Sequence, residues 1–188
     1  QTYMSFLDTA KDGIPMVSSC IFEDAGFVQV LKRLFKADDW YRGDVTEIII
    51  ATLKDYLDDV SSFVEDILRP RLMEAVLERI VGVNFEMLLA NCKDCLKNRP
   101  IDTINRMEAD SSLLRDFFCK YMQLDKIEKT ISPLDSMREL VAAEDFGDVI
   151  MSYTLILQAK PNFQPQYVET LLSSRSDITK KERVELME

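Results

Sequence analysis

Histidine is absent from the 188 residues, which removes the side chain most often used to move protons near neutral pH. Glycine is scarce as well. Five residues leave little backbone for a phosphate cradle or a tight substrate turn, and no Gly-rich phosphate loop, nucleophile elbow or HExxH pattern occurs. Carboxylates and lysines remain, but no motif gathers them. No catalytic residue and no cofactor-binding residue is therefore assigned, and no cofactor is expected. An enzyme working through carboxylates or thiols is the remote alternative.

Cysteine is limited to four residues. Cys92-Lys93-Asp94-Cys95 has a spacing used in zinc and dithiol sites, but a structural zinc site needs four ligands, and neither histidine nor a second close cysteine pair is present. No metal ligand is assigned. A thioredoxin-type dithiol would follow a strand, whereas this pair lies near the end of a helical pattern. Cys20 and Cys119 are isolated and read as small buried hydrophobes.

Long apolar runs are also missing: none approaches the roughly 20 residues that span a bilayer. The first residues, QTYMSFLDTAKDG, have neither the basic nor the apolar region of a signal peptide. The chain opens without methionine, inside what reads as a helix, so it is expected to be a piece of a longer, soluble, intracellular protein. Acidic residues outnumber basic ones 33 to 23, giving a net charge of −10. Such a surface repels phosphate backbones and anionic lipid, so neither nucleic acid nor direct membrane insertion is expected.

What is abundant is apolar and charged side chain, 47% and 30% of the residues. With so little glycine and proline, this composition favours long helices, and an all-α fold of elongated antiparallel helical bundles is expected. Residues 44–68 carry Val45, Ile48, Ile49, Leu53, Tyr56, Leu57, Val60, Phe63, Val64 and Ile67 at steps of three and four, one apolar stripe on a helix. A second helix is expected from about Pro70 to Ala90, either continuous with the first through a kink or antiparallel to it. Asn98-Arg99-Pro100 breaks the pattern, and Ile101, Ile104, Met107, Leu114, Phe118 and Met122 resume it. Ser132-Pro133 should open a short fourth helix carrying Met137, Leu140 and Val141.

A fifth helix, after Glu144-Asp145, holds Phe146, Val149, Ile150, Tyr153, Ile156 and Leu157 and stops before Pro161. Its apolar face is wide enough to suggest contact on two sides. Short helices opening at Pro165 and at Thr179-Lys180-Lys181-Glu182, a capping-box pattern, end the chain. Nearer the start, Gly13-Ile14-Pro15 reads as a break and Gly26–Lys36 as a helix burying Phe27, Val30, Leu31, Leu34 and Phe35. Residues 1–43 are expected to be helical segments ending a preceding bundle, and 44–188 a C-terminal bundle.

Arg42-Gly43-Asp44 has the composition of an adhesion tripeptide. Asp44 followed by Glu47 instead suggests a capping box that starts the helix. On that helix Glu47, Asp58 and Glu65 are separated by near-whole numbers of turns, with Asp55 flanking them. An ordinary solvated face accounts for this ridge, and a docking strip for a basic partner is the functional alternative.

The run WYRGDVTEIIIATLKDYLDD with the LFK before it, LLRDFFCKYM at 113–122 and YTLILQAKPNFQPQYVETLLSSRSD at 153–177 resemble the C-terminal region of the exocyst complex component 3 family. The resemblance runs in patches from about Leu34 to the end, closing on a short Arg-Xaa-Asp element. It implies the C-terminal part of a rod of stacked helical bundles in a complex that tethers secretory vesicles to the plasma membrane before SNARE-mediated fusion. It also implies binding to other exocyst subunits, SNAREs and SNARE regulators, and a cytoplasmic location, peripheral at the plasma membrane at sites of exocytosis. The family's N-terminal coiled-coil region is not in this chain, and the family offers no catalytic residues. Paralogues related to tumour-necrosis-factor-α-induced protein 2 are an alternative assignment within the resemblance, and a helical adaptor unrelated to tethering is the alternative outside it.

Overall fold

A computed structural model describes residues 2–98, 100–177 and 179–185. These form ten helices and, among the described residues, no strand: α1 (Thr2–Glu23), α2 (Ala25–Leu31), α3 (Ala37–Arg42), α4 (Val45–Ser61), α5 (Arg69–Asn98), α6 (Pro100–Phe118), α7 (Leu124–Ala142), α8 (Phe146–Ala159), α9 (Pro165–Ser174) and α10 (Lys180–Glu185). The fold is the all-α helical bundle expected from composition. Helices α4, α6, α7 and α8 follow one another side by side, and α5 lies across α6 and α7 with α1 and α9 along it. α2 sits against α1 and α4, and α10 against α9.

Several boundaries differ from the sequence reading. Gly13-Ile14-Pro15 does not break the chain, because α1 runs through it with Pro15 inside. It lies parallel to α5: the Ser18 hydroxyl donates to the Ala75 carbonyl at 3.5 Å, and Arg79 lies 5.9 Å from the Phe22 ring centre. Pro133 likewise lies within α7, which begins at Leu124. A proline there cannot donate to the carbonyl of Lys129, and the Ser132 hydroxyl donates to that oxygen instead at 3.1 Å. The expected helix over 44–68 ends at Ser61, and α5 starts at Arg69 and extends to Asn98. The two helices are therefore neither continuous nor close neighbours; α4 packs on α2 and α6.

The stripes that set these helices form one core, including Phe27, Leu31, Leu34, Ile49, Leu53, Leu77, Ile80, Leu88, Leu114, Phe118, Ile127 and Leu140. Five apolar residues expected in it are exposed: Phe63 and Ile67, which fall beyond the end of α4, Ile101, in the first turn of α6, and Phe146 and Ile150 on α8. Ile49 and Leu77 are fully enclosed. Ile49→Ala and Leu77→Ala should each cost about 2–5 kcal/mol of stability, read from urea unfolding, since each leaves a cavity as well as losing burial. Phe35 holds a left-handed backbone, φ 58. The Asn91 side chain donates to the Leu34 carbonyl at 3.0 Å, and the Phe35 ring packs 4.5 Å from that of Trp40.

No single described helix is long and apolar enough to cross a membrane. Asp12–Glu23 and Ala25–Leu31 together have the composition, but they are bent by 73° and carry the core residues Ile21, Phe22, Phe27 and Leu31.

Candidate interaction surface

The acidic residues of the ridge do not share one helix. Glu47, Asp55 and Asp58 are exposed on α4, whereas Glu65 lies in the irregular segment after it. The helix stops at two serines, which are weak helix formers, and the Ser62 hydroxyl bonds the Asp59 carbonyl at 3.0 Å. Two of the carboxylates already have partners: Asp58 with Lys54 at 2.9 Å, and Glu47 with Arg106 at 3.4 Å.

The tripeptide at 42–44 is a helix junction. Arg42 ends α3 and pairs with Asp38 at 3.4 Å. A Cβ on Gly43 would collide with the Asp39 carbonyl oxygen, which explains the glycine. Asp44 occupies the N-cap of α4, yet its carboxylate makes no capping bond. Its backbone carbonyl instead accepts from the Ile48 N–H at 2.8 Å. The capping-box expectation thus holds for position and fails for side-chain chemistry. For the similar pattern at 179–182, the Glu182 side chain lies outside the described residues.

Beneath this junction lies a polar network that no local pattern announces. Trp40 is 0% exposed and its Nε1–H donates to Asp110 Oδ2 at 2.7 Å. Asp110 faces Arg106 at 2.9 Å, and Arg106 reaches on to Glu47. Burial raises the Asp110 carboxyl above the usual range, opposed by the Arg106 charge and the Trp40 N–H. The Tyr41 hydroxyl donates to the Cys95 carbonyl at 3.1 Å, tying α3 to the α5–α6 corner.

A second buried cation closes the other end. Arg175, in the Arg-Xaa-Asp element, donates to the Ala143 carbonyl and grips Asp177 in a fork at 3.1 and 2.7 Å. That bond holds the Asp177 carboxyl below the usual range. Arg175→Ala should cost about 1–3 kcal/mol by leaving a buried carbonyl without its donor. The Asp177 contribution is present above the ordinary carboxylate pKa and lost as pH falls through the depressed folded value, so the variant should also lose less stability on acidification.

The two closely spaced thiols are withdrawn from solvent. Cys92 and Cys95 are buried on α5, and burial pushes Cys95 up to about 12. Cys20 and Cys119, expected to be buried, are exposed. Among the described residues no three acidic or thiol side chains cluster as metal ligands would. An open cleft of about 540 Å3 between α5, α7 and the end of α8 has a mixed-charge lining, with Glu74, Glu78, Lys126, Lys129 and Lys160 around Val81 and Pro133.

Four large apolar side chains are exposed along α8. Asp145 caps it, accepting the Asp148 N–H at 2.9 Å. Val149, Ser152 and Ile156 turn inward against the bundle. Phe146, Ile150, Met151 and Leu155 remain exposed, Ile150 at 46% and Met151 at 58%. Their spacing places them as two i,i+4 pairs along the outside of the helix, and Glu144, Asp145 and Asp148 stand exposed at its N-terminal end. The wide apolar face is therefore covered on one side and open on the other.

No solved structure matches the chain. The family model described as exocyst complex component Sec6 matches residues 1–180. That span takes in all of α1 to α9, so the patchy resemblance of the sequence extends over nearly the whole fold: the chain belongs to the exocyst complex component Sec6 family.

Proposed function

We propose that the chain is the C-terminal region of exocyst component 3 and acts as a protein–protein interaction module in vesicle tethering before SNARE-mediated fusion. The family match over residues 1–180 carries this reading. The surface supports it: an exposed apolar stripe on α8 with acidic residues at one end suits an amphipathic helix of another exocyst subunit with a complementary basic flank. Glu47, Asp55, Asp58 and Glu65 form a second, purely electrostatic element that steers basic segments, SNAREs and their regulators among them. The location that follows is cytoplasmic and peripheral at the plasma membrane. Residues 1–43 are proposed as the end of a preceding bundle.

The test is titration of the purified chain with each of the other purified exocyst subunits. Saturable binding to at least one is expected; no binding to any, singly or assembled, would overturn the reading. Reversing Glu47, Asp55 and Asp58 to lysine should slow association and flatten its salt dependence while leaving the fold intact.

A further inference from the structure

The segment between α4 and α5 shares Glu65 with the proposed electrostatic surface, but its exposed serine is used by neither the bundle nor that surface. Ser62 is the first residue past α4, and its side chain is exposed. After it come Phe63, 88% exposed, then Glu65, Asp66 and Ile67, all exposed, before the chain is anchored again by buried Leu68. Only Val64 in this stretch is half-buried. The backbone is held by solvent-facing turn bonds, such as Phe63 N–H to Val60 at 2.9 Å and Leu68 N–H to Glu65 at 2.9 Å. Drawing residues 62–66 into an extended conformation therefore uncovers one side chain packed against the core, half-buried Val64. Carboxylates stand three and four positions after the serine, at Glu65 and Asp66, and two more, Asp58 and Asp59, precede it.

We propose that Ser62 is a phosphorylation site for a protein kinase that reads acidic residues following its acceptor. In the transfer, Ser62 Oγ bonds to the γ-phosphorus of ATP as the bond to the β,γ-bridging oxygen breaks; ADP leaves, and the hydroxyl proton passes to the kinase's base. Extended, accessible backbone brings the hydroxyl to the nucleotide. Glu65 supplies the charge by which such a kinase, with a basic substrate groove, selects its serine, and Asp66, in an exposed pair with Arg69 at 3.0 Å, adds to it once that pair opens. Ser132 also has a carboxylate three residues on, but it lies inside α7, and Arg115 engages that carboxylate, Asp135. Thr179 precedes Glu182, but two lysines lie between them.

A phosphate on Ser62 would place about −1.5 to −2 charges at the C-terminal, negative end of the α4 dipole, beside Asp58 and Asp59. Repulsion there loosens the last turn of α4 and strengthens the negative field of this surface.

The test is incubation of the intact chain with ATP and an acidophilic casein kinase, followed by mass spectrometric localisation. The expected result is one phosphate, on Ser62. Ser62→Ala should abolish incorporation, and Glu65→Lys with Asp66→Lys should slow it by about tenfold or more. Urea unfolding of each variant should match the wild type, since all three side chains are exposed. No incorporation, incorporation at any other serine or threonine instead, or indifference to the lysine substitutions would overturn the proposal. The readout needs no exocyst partner, so it stands or falls independently of the tethering function.

Discussion

Trp40→Ala should destabilise the protein by about 3–5 kcal/mol, a large share of the roughly 5–15 kcal/mol that holds a typical domain together. The indole is fully enclosed, 4.5 Å from the ring of Phe35 and 5.2 Å from that of Tyr41. Its removal leaves a cavity and strips Asp110 of the Nε1–H donor at 2.7 Å. Trp40→Phe separates the two effects: it keeps most of the apolar volume, loses the donor and should cost about 1–3 kcal/mol. The neighbouring carboxylate adds a pH signature. Because burial raises the folded Asp110 pKa above that of an ordinary carboxyl, its stabilising contribution is full below the ordinary value and is lost as pH rises from there through the folded pKa. The stability of wild type relative to Asp110→Asn should therefore fall as pH rises through that window in urea titrations. A flat difference would place the carboxyl in an ordinary solvated environment.

Ile150→Asp combined with Leu155→Asp should leave the fold standing and weaken binding to the cognate exocyst subunit by about a hundredfold or more. Both side chains are exposed in the isolated chain, so a carboxylate at either position stays hydrated and alters stability little. In the complex the same carboxylates would be buried against an apolar helix without partners. Central apolar contacts of an interface commonly contribute 2 kcal/mol or more each, and about 1.4 kcal/mol is a factor of ten in affinity. Unchanged affinity with an unchanged melting temperature would remove α8 from the interface.

Periodicity was enough to locate α5, α6, α8 and α9, because each combines a 3.6-residue apolar stripe with a local stop or start, such as Asp145 before α8 or Pro165 opening α9. It misjudged places where a punctuating residue is compensated. Pro133 stays inside α7 because Ser132 bonds the carbonyl that the proline cannot reach. The opposite error came at 62–68, where Phe63, Val64 and Ile67 continue the spacing of α4 although the helix has ended. Spacing carries no information about which apolar side chain finds a partner.

The Trp40–Asp110 bond joins residues 70 positions apart, beyond the reach of any local pattern. One signal was nonetheless present. Asp110 occupies a stripe position of α6, between Met107 and Leu114, and a carboxylate in a core register implies a buried donor or cation facing it. The acidic residues were visible as charges, but their partners Lys54 and Arg106 and the displacement of Glu65 from the helix depend on three-dimensional placement. The open side of α8 was legible only as excess width, since a sequence does not say which half of a wide face its own fold covers.

Amide hydrogen exchange of the chain alone and bound to its exocyst partner tests the central claim most directly. With α8 as the docking face, residues 146–157 should become markedly slower to exchange on binding, while the already buried α5 and α6 change little. Protection confined to other elements, or an α8 that exchanges equally in both states, would contradict it.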